Sequence, residues 1–200
     1  MRILCACTGV ALALIACSTS SAQVFNEVGD ATDLLPGQLV TVGTTQIVGT
    51  VDAGDPDLYA FDWTGGELVI DTLGSDFDTQ LHLFDGAGFG IGENDDAVGL
   101  LSELAFDLDA GNYFIGITGF NNDALDENGN PIFGFNNTFN DLNGNFIQGP
   151  EGNGALAAWD GGGGAGSYNI NFSAPVGVPE PTSAFVLLGA LGSAMIRRRR

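Results

Sequence analysis

The fold class is decided by residues 58–72, which read LYAFDWTGGELVIDT. Tyr59, Phe61 and Trp63 alternate with smaller or polar residues, and alternate residues of a β-strand lie on the same face. The Gly65-Gly66 pair interrupts this pattern with the residue type that tight turns favour, because glycine tolerates positive φ. Apolar residues resume at Leu68, after Glu67. The stretch therefore predicts two short strands joined by a turn.

The same alternation and similar turns recur along the chain and predict eight strands. Helical spacing of apolar residues is absent outside the two ends, and no segment is long enough for the helical crossovers of a parallel sheet. We therefore predict an all-β fold, an antiparallel jelly-roll-like β-sandwich, as one domain over residues 23–177. The predicted strands are 38–42, 46–51, 58–63, 67–72, 79–85, 102–108, 112–118 and 167–173.

A long Gly/Asn-rich insertion, residues 121–166, separates the last two predicted strands. Connections of about four to six residues are usual, so this one indicates either function or disorder. It contains a repeat, because Asp126-Glu127-Asn128-Gly129-Asn130 returns as Asp141-Leu142-Asn143-Gly144-Asn145. Asn-Gly predicts a hairpin centred on Asn143-Gly144, with a type I′ turn. The EF-hand spacing fails, since apolar residues occupy positions that would have to ligate calcium.

A family resemblance spans residues 45–173 and rests on several short motifs. The motifs are Gly54-Asp55-Pro56-Asp57-Leu58-Tyr59-Ala60-Phe61, the stretch 76–85, Asn94-Asp95-Asp96, the stretch 110–117 and Gly166-Ser167-Tyr168-Asn169-Ile170. Together they resemble bacterial pre-peptidase C-terminal (PPC-like) domains. The resemblance implies a non-catalytic β-sandwich module of a kind that in some members binds calcium or extracellular polymers. The insertion is a departure from a minimal module of that family.

Charge is distributed very unevenly. All five basic residues are Arg2 and Arg197–Arg200, so the part from Gln23 to Ile196 holds 25 carboxylates and one histidine, His82. This strongly negative part repels phosphate backbones, so we expect no nucleic-acid partner. It also lacks any Lys or Arg salt bridge. Divalent cations or high ionic strength would relieve the repulsion, and adaptation to salty water stays open as an alternative to specific calcium sites.

Calcium is the predicted cofactor because it prefers hard oxygen ligands. The candidates lie in loops that neighbouring strands could bring together, where glycine-rich backbone could supply further carbonyl ligands. The alternative is that these residues form turns, since Asp side chains accept hydrogen bonds from their own backbone. The candidate metal ligands are Asp55, Asp57, Asp76, Asp78, Glu93, Asp95 and Asp96.

The amino end predicts an N-terminal signal helix, residues 1–22. Arg2 precedes an apolar run that ends at Ala16, and small residues follow up to Ala22. We expect signal peptidase to cut between Ala22 and Gln23. A loose lipobox ending at Cys17 leaves lipidation open as an alternative. All three cysteines lie in this leader, so the mature chain has no disulfide.

The carboxyl end, residues 178–200, has three ordered parts. Pro179, Glu180 and Pro181 keep the chain extended, since proline fixes its own φ and restricts the residue before it. An apolar run, 183–196, predicts a helix that reaches roughly 21 Å into the membrane. The four residues Arg197, Arg198, Arg199 and Arg200 favour the cytoplasmic side. These parts resemble the PEP-CTERM sorting signal, which implies a C-terminal transmembrane helix and cleavage near the motif by exosortase.

Catalysis is not expected. Ser-His-Asp and Cys-His mechanisms need a histidine base, and only His82 is present. It alternates with Leu81 and Leu83, which predicts an exposed strand histidine on the opposite face. Zinc hydrolysis lacks ligands. A glycosidase that uses two carboxylates remains an open minority alternative, because that mechanism needs only two acids at the right separation.

Aromatic residues in the insertion raise the alternative of a polysaccharide-recognition module. Phe146 and Trp159 are the candidate ligand-binding residues, because flat apolar rings can stack on sugars. The sequence as a whole predicts an exported protein that passes transiently through the inner membrane and reaches the cell surface or extracellular matrix. There it would bind or scaffold, with extracellular polysaccharide as a candidate partner. The two resemblances imply a link to exopolysaccharide and biofilm.

Overall fold

The structure is a computed structural model, and it describes residues 22–177. These residues form strands and connections without a helix, so none of their segments is a helix that could cross a membrane. The predicted signal helix as far as residue 21, including Cys17, lies outside the described residues. So does the predicted sorting segment, residues 178–200.

Fourteen strands are present among the described residues. All eight predicted strands occur, together with six further strands: one at the amino end, one after residue 85 and four in the insertion. The strands are β1 (Gln23–Asn26), β2 (Gln38–Leu39), β3 (Thr44–Val51), β4 (Asp57–Trp63), β5 (Gly66–Asp71), β6 (Thr79–Asp85), β7 (Gly90–Asn94), β8 (Glu103–Leu108), β9 (Gly111–Gly119), β10 (Ala124–Leu125), β11 (Phe133–Asn140), β12 (Phe146–Pro150), β13 (Ala158–Trp159) and β14 (Gly166–Val176).

Two sheets pack face to face. One has the order β1-β3-β14-β5-β8 and the other β11-β12-β7-β6-β9-β4-β2, while β10 and β13 form a separate pair. Most neighbours are antiparallel, as predicted. Two edge pairs, β1 with β3 and β2 with β4, are parallel and correct that prediction. The reason is that successive strands alternate between the two sheets here: β1 and β3 lie in one sheet, and β2 and β4 lie in the other. Each pair is therefore joined through a strand of the opposite sheet and runs in the same direction.

The space between the sheets is filled by the predicted apolar faces. Tyr59 and Phe61 of β4 are fully buried there with Leu81 and Leu83 of β6, and Ile170 of β14 faces them. Burying one such side chain contributes about 1.5–3 kcal/mol. The period-two alternation in the sequence therefore predicted this core correctly.

A second apolar cluster covers the outer face of the seven-stranded sheet. Leu58, Phe84 and Phe114 point away from the main core and pack against Ile132 and Phe133 of the insertion. Part of the insertion thus lies over this sheet face, whereas its strands β11 and β12 continue the sheet itself. We call the whole insertion the cover segment (residues 121–166). It closes a sheet face that would otherwise expose large apolar side chains.

His82 lies beneath the cover segment, so its prediction as an exposed strand residue was wrong. The side chain is fully buried, and its Nε2 lies 3.3 Å from Thr118 Oγ1. Its Nδ1 lies 3.2 Å from Glu93 Oε2, at an angle that does not make a hydrogen bond. Alternation assigned His82 correctly to the face opposite Leu81. The error was to treat that face as solvated, because only the tertiary structure shows that the cover segment lies on it.

The hairpin predicted at Asn143-Gly144 is confirmed as β11 and β12, but the type I′ turn is wrong. The Gly144 N–H donates to the Asp141 carbonyl at 3.1 Å, and the Asp141 N–H donates to the Asn145 carbonyl at 3.1 Å. Gly144 has φ 89° and Asn143 does not have a positive φ. The loop is therefore a three-residue connection that closes on a glycine, the next most common hairpin type.

The first copy of the repeat folds in the same way around Asp126. Its Oδ1 accepts the N–H groups of Asn128 at 2.8 Å and Asn130 at 2.9 Å, and its Oδ2 accepts Asn130 Nδ2 at 3.2 Å. Donors led by the Asn130 N–H lower the pKa of Asp126 to about 2. Asp141 is held by the equivalent donors. The repeat therefore forms turns, as expected, and each central carboxylate is satisfied by its own loop.

Two glycine backbones touch where the cover segment returns to the sheet. A Cβ built on Gly119, at the end of β9, would collide with the backbone of Gly164. We expect Gly119→Ala to lower the free energy of unfolding by about 1–3 kcal/mol, the usual cost of overpacking. Gly164→Ala is the matched control, because a Cβ there meets nothing within 4 Å. Chemical unfolding of both variants checks this, and equal stabilities would contradict the contact.

Candidate metal centre

The predicted metal ligands do not meet at one place. Asp55 is exposed, and Asp76 uses its Oδ1 to accept the Ser167 N–H at 2.7 Å. Glu93 is 2% exposed and accepts Gln80 Nε2 at 2.8 Å, beside His82. Asp76 and Glu93 therefore hold neighbouring parts of the chain together through hydrogen bonds.

Three further predicted ligands lie near one another at the ends of β6 and β7. Burial raises the pKa of Asp78 and of Asp95, and the nearby carboxylate of Asp96 adds to both shifts. The Oδ1 atom of Asp78 is buried without a hydrogen-bond partner. Among the residues that the structure describes, however, these three do not form a group whose ligand atoms all lie within 4.8 Å of one another.

One group of three carboxylates does meet that criterion, and it contains Glu27, Asp30 and Asp57. Glu27 follows the edge strand β1, and Asp30 follows a turn at Gly29, whose φ is 72°. Asp57 is the first residue of β4. Only Asp57 was predicted from the sequence. Glu27 and Asp30 were missed because no alternation marked β1, and its pairing with β3 brings them to Asp57.

Backbone donors orient the carboxylate of Glu27. Its Oε1 accepts the Ala31 N–H and its Oε2 accepts the Thr50 N–H, both at 3.0 Å. Gly49 leaves the necessary space, since a Cβ there would collide with the hydroxyl of Tyr168 and with Glu27 Oε2. Contacts with β3, the strand that pairs with β1, thus help to hold Glu27 in position.

Asp57 is the buried member of the group and is only 1% exposed. Its Oδ2 accepts the Tyr168 hydroxyl at 2.6 Å, and the Tyr168 oxygen lies 2.5 Å from the Tyr59 hydroxyl. Because Tyr168 gives its one proton to Asp57, Tyr59 is the donor in the second bond. Burial is the main reason why the pKa of Asp57 is raised to about 7. The carboxylates of Glu27 and Asp30 contribute to this rise, and the hydrogen bond from Tyr168 opposes it.

This arrangement fits a hard divalent cation. Calcium takes six to eight oxygens at about 2.3–2.6 Å, so its ligand oxygens lie within about 5 Å of one another. Three carboxylates can supply three to six of these oxygens, and the exposed Asp30 leaves a side open to water. A bound cation would also remove the repulsion that raises the pKa of Asp57.

The two candidate sugar-binding residues differ in accessibility. Phe146 is 55% exposed. Trp159 instead packs its ring edge-on to His82, with centroids 5.0 Å apart, and lies over Gly116. Its Nε1 donates to the Asp33 carbonyl at 2.7 Å. The ring of Trp159 therefore helps to fasten the cover segment to the sheet.

Comparisons with known proteins give a distant similarity to solved structures. No family model matches the chain, and no curated protein matches it. A similar solved structure is the pre-peptidase C-terminal domain of collagenase from Bacillus anthracis, at 12% identity and a TM-score of 0.37. The alignment covers 76% of this chain and 97% of that domain. A TM-score this low does not establish a shared fold, so family membership stays a prediction from the sequence motifs.

The raised pKa of Asp57 predicts a pH dependence of stability without metal. Between its ordinary value of 3.8 and about 7, the folded state binds the proton more tightly than the unfolded state. The free energy of unfolding should therefore fall as pH rises through this window, by on the order of 2–4 kcal/mol. Chemical unfolding of the full chain with chelator, in a mild detergent, measures the slope.

Asp57→Asn is the decisive variant for that slope. Asparagine can still accept the hydrogen bond from the Tyr168 hydroxyl but cannot ionise. Above about pH 7 in chelator, the variant should therefore have a higher free energy of unfolding than the unmodified chain. Asp76→Asn is the control. Asp76 is exposed, and the side-chain oxygen of the introduced asparagine can still accept the hydrogen bond from the Ser167 N–H. If the two variants had the same pH dependence, the assignment to Asp57 would be wrong.

Proposed function

We propose that the chain is an exported cell-envelope or extracellular-matrix protein that acts by binding or scaffolding and is stabilised by calcium. The observation that carries this proposal is the group of Glu27, Asp30 and buried Asp57 in a part of the chain without lysine or arginine. Of the 25 acidic residues, 24 lie in residues 22–177, and Glu180 is the other. Because no lysine or arginine side chain is present in this part of the chain, a bound cation is what would offset the repulsion between these three carboxylates.

Calcium at this group would fasten the amino end to the sandwich. Glu27 and Asp30 belong to the chain that leaves the edge strand β1, whereas Asp57 begins β4 in the opposite sheet. A cation shared by these three residues would thus join the two sheets at one edge. Terminal strands are prone to fray unless something holds them. Stabilisation by calcium is therefore the function that the group supports best.

We propose further that the chain is processed at both ends. Signal peptidase would release Gln23 as the first residue, and exosortase would cut near Pro179-Glu180-Pro181 while the tail is held in the inner membrane. The start of β1 at Gln23 supports this, because strand pairing in the described part of the chain begins at the residue that the expected cleavage would leave first. The same proposal includes the fold and the role of the domain. The domain would be a jelly-roll-like sandwich of the PPC-like type, and its role would be linked to exopolysaccharide and biofilm.

Thermal unfolding of the full chain tests the calcium proposal. Calcium at about a hundred times its Kd would stabilise the fold by about 2.7 kcal/mol, which should raise the unfolding midpoint by about 5 °C or more over chelator. Asp30→Ala should abolish the rise, since it removes an exposed ligand. Glu127→Ala, which removes an exposed loop carboxylate, should keep it.

Two results would contradict calcium binding at this group. One is a midpoint that does not change with calcium. The other is an equal rise in sodium chloride of matched ionic strength, which would favour adaptation to salty water. If both variants lost the rise, calcium would act on the net charge of the domain and not on these three residues.

Sorting can be tested separately in a diderm bacterium that carries exosortase. Replacing Pro179, Glu180 and Pro181 with alanine should leave a chain with an intact carboxyl end in the membrane fraction, whereas the unmodified chain should lose its arginine tail. Mass spectrometry of both ends measures this. A mature chain that begins at Gln23 would support plain secretion. A mature chain that begins at a lipidated Cys17 would contradict plain secretion and support the lipoprotein alternative. Cleavage unaffected by the alanine variant would contradict recognition of the motif.

A further inference from the structure

An open groove lies along β11, at the outer edge of the seven-stranded sheet. Its volume is about 420 Å³, and it runs between the first repeat loop and the turn after β12. Ligand sites of small molecules commonly have volumes of about 300–1,000 Å³. Phe135 stands in this groove and is 76% exposed, more than any other large apolar side chain that the structure describes. An isolated ring this exposed contributes little to the fold.

The polar wall of the groove is formed by Glu151, and its carboxylate is held in place. Glu151 Oε1 accepts the Asn136 N–H and Oε2 accepts Asn136 Nδ2, both at 2.9 Å. Gly134 leaves room for the carboxylate, because a Cβ at that position would collide with Oε1. Each carboxylate oxygen can accept a second hydrogen bond. The two oxygens can therefore accept a pair of neighbouring hydroxyl groups on one ligand.

A second polar side chain on the groove wall is also fixed. Asn153 donates from its Nδ2 to the Pro131 carbonyl at 2.6 Å. Asn130, which also lines the groove, is held by Asp126 through both its N–H and its Nδ2. The groove thus combines one accessible aromatic ring with polar groups whose orientation is set before a ligand arrives. Such preorganisation lowers the entropy cost of binding.

Charge determines which ligand suits this groove. Residues 22–177 contain no lysine or arginine, and the charged group on the groove wall is a carboxylate. A phosphate, sulfate or uronate group would meet repulsion without a compensating cation. One carboxylate is also too few for a divalent metal site. The matching ligand is uncharged, has a flat apolar face for Phe135, and carries adjacent hydroxyl groups for Glu151.

A second copy of the chain is a poor occupant. Although β11 is an edge strand, its pairing register shifts between Gly134 and Thr138, and such bulges interrupt edge-to-edge association. The Asn136 N–H inside this irregular stretch already donates to Glu151. Two domains with this much negative charge also repel each other. These features protect the edge and leave the groove for a small or extended neutral ligand.

We propose that this groove is a binding subsite for a neutral polysaccharide, with Phe135 stacking on a sugar ring and Glu151 accepting two of its hydroxyl groups. The subsite rests on the proposed binding role of the domain, but it depends neither on calcium at Glu27, Asp30 and Asp57 nor on sorting. It also replaces Trp159 as the stacking residue, because that ring packs against His82.

The test is binding of the full chain to defined polysaccharides. The chain is purified in a detergent without a sugar headgroup, in saturating calcium, and titrated with laminarin, hydroxyethyl cellulose, galactomannan and the polyanion alginate. We expect at least one neutral polymer to bind and alginate not to bind. Phe135→Ala should weaken binding about tenfold or more, and Phe135→Trp should retain it. Glu151→Gln should also weaken binding.

Phe120→Ala is the matched control, because Phe120 is an exposed aromatic residue outside the groove. Its affinity should stay within about twofold of the unmodified chain. Equal weakening by Phe135→Ala and Phe120→Ala, binding of alginate, or no binding to any neutral polymer would each overturn the proposal. A dimer that dissociates on Phe135→Ala would overturn it in favour of self-association. The calcium-dependent midpoint, measured on the same samples, reports separately on the proposed stabilisation.

Discussion

A carboxylate in the described part of this chain has no lysine or arginine to pair with, and that constraint shapes the whole domain. Ionised groups can be buried only if hydrogen bonds or opposite charges compensate their lost hydration. Asparagine side chains take the place of basic residues here: Asn171 donates to Asp71 at 2.7 Å, and Asn143 donates to Glu103 at 2.7 Å. The abundance of asparagine beside aspartate thus has a physical role.

Loops built around a single aspartate satisfy the same constraint. In the loop after β6, Asp85 Oδ1 accepts the N–H groups of Ala87 at 2.8 Å and Phe89 at 3.0 Å, as Asp126 and Asp141 do in the cover segment. Each loop closes on a glycine and compensates its own charge with backbone N–H groups. Acidic turns of this kind can be repeated without accumulating buried, uncompensated carboxylates.

The constraint is least well met at Glu27, Asp30 and Asp57. Tyr168 donates one hydrogen bond to Asp57, yet the pKa of this carboxyl is still raised to about 7 because burial and neighbouring carboxylates outweigh that bond. The site therefore favours either a proton or a cation. A cation at this group would remove the repulsion between the three carboxylates, which is the physical basis of the proposed stabilisation by calcium.

The sequence by itself determined eight of the fourteen described strands, their inward faces and the presence of the Asp-Asn-Gly turns, because alternation and turn chemistry are local properties of the chain. Tyr59, Leu81 and Ile170 could be assigned to the core in this way. The sequence alone did not reveal that Glu27 lies beside Asp57, that His82 is buried or that a groove lies at Phe135. Only the tertiary structure decided these, because they depend on which strand pairs with β1 and on which sheet face the cover segment lies. Pairing and coverage join residues far apart in sequence, and no short-range pattern specifies them.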